Sequence, residues 1–257
     1  MNSAEIEKTI NSLIHAFIDL GNLSLDLRKK GLKKKIKSDN TSVTNADIEI
    51  NNIITKKISN LTPYIKIVSE ETSANKENEN LNNFWLIDPI DGTHGYINGK
   101  DEFTINAALI LNKKPVGGII NAPAKKRLFY SFGLSNSFEI NNNEKIKLTC
   151  KKKSKLNEIN AISYSNNHKP EIIELYKKYN VTNFTKMKSS LKFCVIASGE
   201  YDFYAAEPRA QEWDIAAGHA ILEHAGGIVT DFNENKISYG KKGFKNPSLI
   251  LKRGKNL

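Results

Sequence analysis

The sequence predicts a mixed α/β fold, α/β in the loose sense that includes α+β, with layers of helix and sheet alternating. Three observations carry this. Ile6, Ile10, Leu13, Ile14, Phe17 and Ile18 recur at spacings of three and four, which is one face of a helix. Short apolar or alternating runs from Trp85 to Ile87, Phe103 to Leu111, Val116 to Ile120 and Leu128 to Ser131 are bounded by turn residues, as core strands are. In the second half, strand-like and helix-like runs intermix, which argues for stacked layers.

In chain order, the first helix runs over residues 4–29, and Asn2 or Ser3 could cap it. Its polar face carries Glu5, Glu7 and Asp19, so packing on the protein's own core or on a second subunit fits better than a membrane surface. Asp47 to Asn60 is a second helix, with Ile50, Ile53, Ile54 and Ile58 on one side. Tyr64 to Val68 is a short strand, and Asn75 to Asn83 is polar and poor in apolar residues, a mobile loop. Trp85-Leu86-Ile87 is a buried strand that the tight turn Asp88-Pro89-Ile90-Asp91-Gly92-Thr93 ends. Pro115 separates two of the strands that follow, and Asn141-Asn142-Asn143 marks a turn. Further on, Ala161 to Ser163 and Ile228 to Thr230 read as strands. Pro170 to Tyr179, Phe193 to Ser198 and Asp214 to Ala225 read as helices. The basic, low-complexity stretch 148–158 is the best internal boundary. It divides the chain into 1–147, an N-terminal subdomain, and 148–257, a C-terminal one.

The chain has 257 residues, 39% of them hydrophobic, enough for a substantial core. No run approaches the roughly 20 apolar residues of a membrane span, and the start has no signal-peptide core, so a cytoplasmic protein is expected. Cys150 and Cys194 are too few for a disulfide framework, and no Cys/His spacing suggests zinc. The net charge of +10 would attract nucleic acid, an anionic membrane face or a small acidic molecule. The clusters Lys33-Lys34-Lys35-Ile36-Lys37 and Lys151-Lys152-Lys153-Ser154-Lys155 lack the interleaved aromatics of a single-strand-binding surface. An A/T-rich coding sequence would raise lysine without any function. A small phosphorylated substrate is the expected partner and nucleic acid is not; a homodimer and weak contact with the inner membrane face stay open.

The most informative stretch is Phe84 to Thr93. Asp88 and Asp91 lie three apart at the end of an apolar run, next to Pro89 and to Gly92, which permits unusual backbone angles. Two carboxylates on such a turn can face one way. Hard divalent cations want that oxygen-rich geometry, and Mg²⁺ recruits substrate phosphate as a ligand. Free N–H groups at Gly92 and Thr93 suit a phosphate if a helix starts there. The plain alternative is a polar turn.

This block resembles the metal-binding motif of the inositol monophosphatase superfamily, apolar-Asp-Pro-apolar-Asp-Gly-Thr. Three further blocks occur in the superfamily's order: Ser42 to Asp47, Ser69-Glu70-Glu71-Thr72, and Glu212 to Gly218 followed by Glu223 to Gly227. The resemblance implies a five-layered αβαβα sandwich and a Mg²⁺-dependent, Li⁺-sensitive phosphatase using two or three Mg²⁺ ions. It places Glu70, Asp88 and the Ile90 carbonyl on one ion, and Asp88, Asp91 and Asp214 on a second, with a weaker third near Glu70. It pairs Thr93 with Asp47 to activate water, so Asp47, Thr93 and Glu70 become the catalytic candidates. Read without the resemblance, Glu70 and Glu71 are surface charges and Asp47 and Asp214 are helix N-caps.

Two blocks resemble the 3'(2'),5'-bisphosphate nucleotidase branch: Glu102 to Asn106 and Ser189 to Cys194. There Lys192 would meet a second phosphate, or else is a solvated lysine at a helix start. Substrate contacts implied are Asp91, Gly92, Thr93, Ser190, Lys192 and Asp214. The expected reaction is hydrolysis of 3'-phosphoadenosine 5'-phosphate to AMP and phosphate. The alternatives are an inositol-1-phosphate phosphatase and, from another class, a basic nucleic-acid-binding module without catalysis. The chain departs from the branch pattern at His94, either a substituted contact or a plain loop residue. It departs again at Tyr164 and Ala206, where arginines are expected, while the nearby arginine is Arg209.

Overall fold

The computed structural model describes residues 1–37, 41–71, 76, 80–150, 158–254 and 257. Thr72, the 151–155 lysine cluster and much of the 75–83 loop lie outside the described residues.

Five layers alternate. Helices α1 (Ser3–Lys30) and α2 (Asn45–Leu61) cover one face of a seven-stranded sheet. That sheet runs in order β3 (Lys66–Ser69), β4 (Phe84–Asp91), β5 (Thr104–Leu111), β6 (Lys114–Ala122), β7 (Arg127–Ser131), β8 (Ser137–Asn141) and β9 (Glu144–Lys147). Every neighbouring pair is antiparallel except β3–β4. Helices α5 (Leu191–Ala197) and α6 (Glu212–His224) form the middle layer. The second sheet has the order β11 (Val181–Lys186), β10 (Ile159–Ser163), β12 (Phe203–Ala206), β14 (Leu249–Lys252), β13 (Ile228–Thr230). Helix α4 (Pro170–Lys178) covers its far side. A two-stranded hairpin, β1 (Lys34–Ile36) with β2 (Ser42–Thr44), and the short α3 (Thr93–Ile97) complete the described elements, apart from two 3₁₀ turns.

The local causes are legible. Asn2 caps α1 in a capping box with Glu5, and the α1 stripe from Ile6 to Phe17 is buried on the first sheet. Asn142 and Asn143 adopt left-handed φ angles of 47° and 68°, as a tight β8–β9 hairpin requires. Helix α6 lies between two sheets and is apolar nearly all round. At Gly218 a β-carbon would meet the Phe193 ring at 2.4 Å, so glycine there lets α5 and α6 pack closely. The sheets divide near the expected boundary, β9 ending at Lys147 and β10 starting at Ile159. One core cluster nevertheless joins both halves, from Val68 and Phe129 to Phe193, Ile221 and Leu251.

Candidate active site

Asp88 and Asp91 both belong to β4, not to a turn after it. Asp88 pairs with Asn106 and Asp91 with Thr104, so three steps on β4 oppose two on β5. This is a β-bulge. Side chains three apart on a regular strand point to opposite faces; the extra residue turns the two carboxylates toward one side. Pro89 sits inside the bulge, where a strand tolerates a missing N–H. The turn comes at Gly92, whose φ of 90° and ψ of 31° cap α3; a side chain there would be strained.

Asp214 arrives from the first turn of α6. It is not the N-cap: Gln211 is, and Asp214 Oδ2 accepts the Gln211 N–H at 2.7 Å. Carboxylate oxygens of Asp88, Asp91 and Asp214 lie within 4.8 Å of one another. Glu70 follows β3, its N–H donating to the Ile87 carbonyl at 3.0 Å. Lys37, just past β1, reaches across to both acids of the next block, 3.3 Å from Glu70 and 2.7 Å from Glu71. Burial pushes the Lys37 ammonium pKa down, and the two carboxylates outweigh that and hold it raised. The Glu71 side chain is almost fully buried; it is no surface charge.

Asp47 is likewise not an N-cap. Thr44 caps α2, and Asp47 completes the capping box, its Oδ2 accepting from the Thr44 N–H at 2.8 Å and hydroxyl at 2.6 Å. Its other oxygen, Oδ1, lies 3.3 Å from the Thr93 hydroxyl, which is 2.9 Å from the Ile90 carbonyl. The Thr93 proton can go to one acceptor at a time. Burial raises the Asp47 pKa, the Thr44 bonds oppose it, and Glu70 adds to the rise.

Burial and the charges of Glu70, Asp91 and Asp214 drive the Asp88 carboxyl well above the usual range. Burial and Asp91 push Asp214 up to about 8, against the Gln211 bond. Asp88 Oδ1 is buried without a hydrogen-bond partner. Several crowded carboxylates, one with an orphaned oxygen, form an all-oxygen donor set that a hard divalent cation would satisfy and neutralise. The residues fit a hard divalent cation.

A cleft of about 860 Å³, counting space open to solvent, leads away from Asp91, Gly92 and Asp214 between the sheets. Lys192, Tyr164, Tyr204 and Arg209 line it, and so does Ser189. Ser190 stands behind the wall. It is 1% exposed, with its hydroxyl 2.6 Å from Asp91 Oδ2, 2.5 Å from the Asp214 carbonyl and 3.0 Å from Asn106 Nδ2. A buried serine so occupied positions Asp91. Lys192 is half-buried and donates to the Ser189 carbonyl at 2.5 Å; it is not simply solvated. His94 is exposed on α3, in a second cleft with Lys100, Lys125, Lys186 and Lys188.

The profile described as "Inositol monophosphatase family" matches residues 5–255. The chain belongs to the inositol monophosphatase family. Within it, the 3'(2'),5'-bisphosphate nucleotidase CysQ of Buchnera aphidicola is 38% identical over 215 residues, 82% of this chain and 79% of that protein. CysQ of Salmonella typhimurium is 34% identical over 217 residues, covering 83% and 86%. The crystal structure of CysQ from Bacteroides thetaiotaomicron superposes with a TM-score of 0.76 at 26% identity, covering 95% and 97%. A staphylococcal inositol monophosphatase, solved as a lithium-chloride-soaked inhibitory complex, superposes with a TM-score of 0.78 at 19% identity over 98% and 91%, a likeness of fold alone. The layered sandwich described above is thus the fold of inositol monophosphatase family members.

One residue beside the acidic cluster escapes sequence reasoning, Lys37. Lys37 is 33 positions from Glu70, and nothing local links them. The capping role of Asp47 was readable, since Thr44 stands three positions before it as in a capping box.

Proposed function

We propose that this chain is a Mg²⁺-dependent phosphoric monoester hydrolase that converts 3'-phosphoadenosine 5'-phosphate to AMP and phosphate. One observation carries the reading: the carboxylate cluster at the bulged end of β4 opens directly into a cleft holding the cation Lys192. The relatives named as 3'(2'),5'-bisphosphate nucleotidases support the substrate. Glu70, Asp88, Asp91, Asp214 and the Ile90 carbonyl would hold Mg²⁺, which supplies positive charge against the phosphate oxygens and acidifies water. Thr93 orients the attacking water and passes its proton toward Asp47. Gly92 and Thr93 N–H groups, at the start of α3, face the scissile phosphate. The family's four converging acids have no use in a nucleic-acid binder, since they repel phosphate without a cation.

Phosphate release from 3'-phosphoadenosine 5'-phosphate and from inositol 1-phosphate, each with Mg²⁺ and with EDTA, tests the reading. Preference for the inositol ester would overturn the substrate; activity untouched by EDTA would overturn the metal.

Lithium is the next test. Li⁺ in the millimolar range is expected to inhibit by displacing a weakly held Mg²⁺, while Na⁺ at equal ionic strength leaves the rate unchanged. Equal effects would mean simple screening and count against the assignment.

Lys192→Ala is expected to lower kcat/KM for 3'-phosphoadenosine 5'-phosphate roughly ten- to a hundredfold, the worth of a charge-assisted contact in a partly dry cleft. Inositol 1-phosphate, with no second phosphate, should lose far less. Equal loss on both would mean that Lys192 serves the fold through Ser189.

A further inference from the structure

Glu212 is the first residue of α6, two positions before Asp214, and it is 0% exposed. Three donors surround its carboxylate. Oε2 accepts the Gly240 N–H at 2.8 Å, and Oε1 accepts the Lys241 N–H at 3.0 Å. The Lys241 ammonium lies 2.7 Å from Oε1. A carboxylate accepts at both oxygens, whereas an amide would turn its own N–H groups against one of these donors. Burying a charge is costly unless it is paired and hydrogen-bonded in this way. Glu212 is therefore tied to Gly240 and Lys241, and they to it.

These partners belong to a strap, residues 237–246, between β13 and β14. The strap joins α6 to the first sheet. Its Tyr239 N–H donates to the Lys113 carbonyl at 3.1 Å, in the turn from β5 to β6. Gly240 has a φ of 78°, and a β-carbon there would overlap the Leu81 carbonyl oxygen. The strap thus runs hard against the chain that enters β4. The Phe244 ring lies 6.2 Å from that of Phe84, the first residue of β4, and 6.0 Å from that of Trp213 in α6.

The acidic cluster needs such a tie. Asp88 and Asp91 are on β4 and Asp214 is on α6, with oxygens within 4.8 Å of one another. Like charges at that range repel, and the repulsion drives the start of α6 away from β4. Resting on the metal-dependent reading above, we infer that Glu212 is a positioning residue: through Gly240 and Lys241 it pins the start of α6 to β4 and keeps Asp214 beside Asp88 and Asp91, ready for a divalent cation. Its part in the reaction is indirect, since the cleft is lined by other residues.

The test measures Mg²⁺ binding by calorimetry, without substrate. Glu212→Gln should bind Mg²⁺ roughly tenfold more weakly than wild type, the scale of groups that orient metal ligands. The Mg²⁺ concentration for half-maximal phosphate release should rise by the same factor, while kcat and KM at saturating Mg²⁺ stay close to wild type. Lys241→Met, which removes only the ammonium, should shift both quantities in the same direction and by less. A merely structural role would lower the melting temperature and leave the Mg²⁺ affinity of the folded protein untouched. That result for Glu212→Gln, or for Lys241→Met should Glu212→Gln not fold, overturns the inference while the functional reading stands. A wild-type protein that neither binds Mg²⁺ nor loses activity in EDTA overturns that reading, and this inference with it.

Discussion

Asp88→Asn is expected to cut phosphatase activity by about a thousandfold or more. Asp88 is 1% exposed and lies at the centre of the acidic cluster. If it bridges two ions, the substitution removes charge from both positions at once. A metal ion stabilises transition-state charge by several kcal/mol, and about 4 kcal/mol corresponds to about a thousandfold in rate. Excess Mg²⁺ should not restore activity, because the missing group is a ligand and not an ion. The fold should survive, since Asn matches Asp in shape. A second readout needs no catalysis. The Asp88 pKa is raised in the folded chain by burial and then by Glu70, Asp91 and Asp214. The charged form therefore destabilises the metal-free fold, and stability is lost as pH rises from the ordinary carboxylate range through the raised value. In EDTA at neutral pH, Asp88→Asn should melt above wild type. The gap should close below about pH 4, where the carboxyl is protonated in both states. Activity within tenfold of wild type, or rescue by Mg²⁺, would sink the bridging role; a lower metal-free melting temperature would contradict the repulsion.

Long periodic elements were readable from the chain to within a few residues. The α1 stripe predicts 4–29 against the observed Ser3–Lys30, and the second helix, expected over Asp47 to Asn60, is observed as Asn45–Leu61. Four short or exposed strands were not. β9 is exposed throughout and β11 nearly so, so neither shows the alternation that burial of one face imposes. β12 and β14 are four residues each and wholly buried, too short to tell from helix by pattern. Pro115, taken as a separator, lies within β6, paired with Ile110 beside a register shift. At the site, the carboxylate types were visible in the motif, but their convergence depends on a bulge and on β5 pairing that no local rule supplies. Asp88-Pro89-Ile90-Asp91 has turn composition, yet pairing with Asn106 and Thr104 keeps it in the strand. The neighbouring serines show the same limit: Ser189 faces the cleft and Ser190 the carboxylates, a distinction that only the entry into α5 decides.

Thr93→Val should lower kcat by roughly a hundred- to ten-thousandfold, the usual contribution of a positioned general base, with little change in KM. Valine keeps the shape of threonine and removes only the hydroxyl, so the loss isolates the proton path. That path is short: the Thr93 hydroxyl lies 3.3 Å from Asp47 Oδ1, while Asp47 Oδ2 is held by two bonds from Thr44. The Thr44 bonds leave Oδ1 as the free acceptor and aim it at Thr93. Asp47 has a second duty in the α2 capping box, so the two substitutions separate cleanly. Asp47→Ala should lose the rate and also about 1 kcal/mol of stability from the weakened helix start. Thr93→Val should lose the rate with its melting temperature close to wild type, because Thr93 caps no helix. Thr93→Ser, which restores a hydroxyl in nearly the same place, should recover much of the activity. Should Thr93→Val retain kcat within tenfold of wild type, the water is activated without this pair, and Asp47 is left as a helix-capping residue whose closeness to Thr93 has no catalytic meaning.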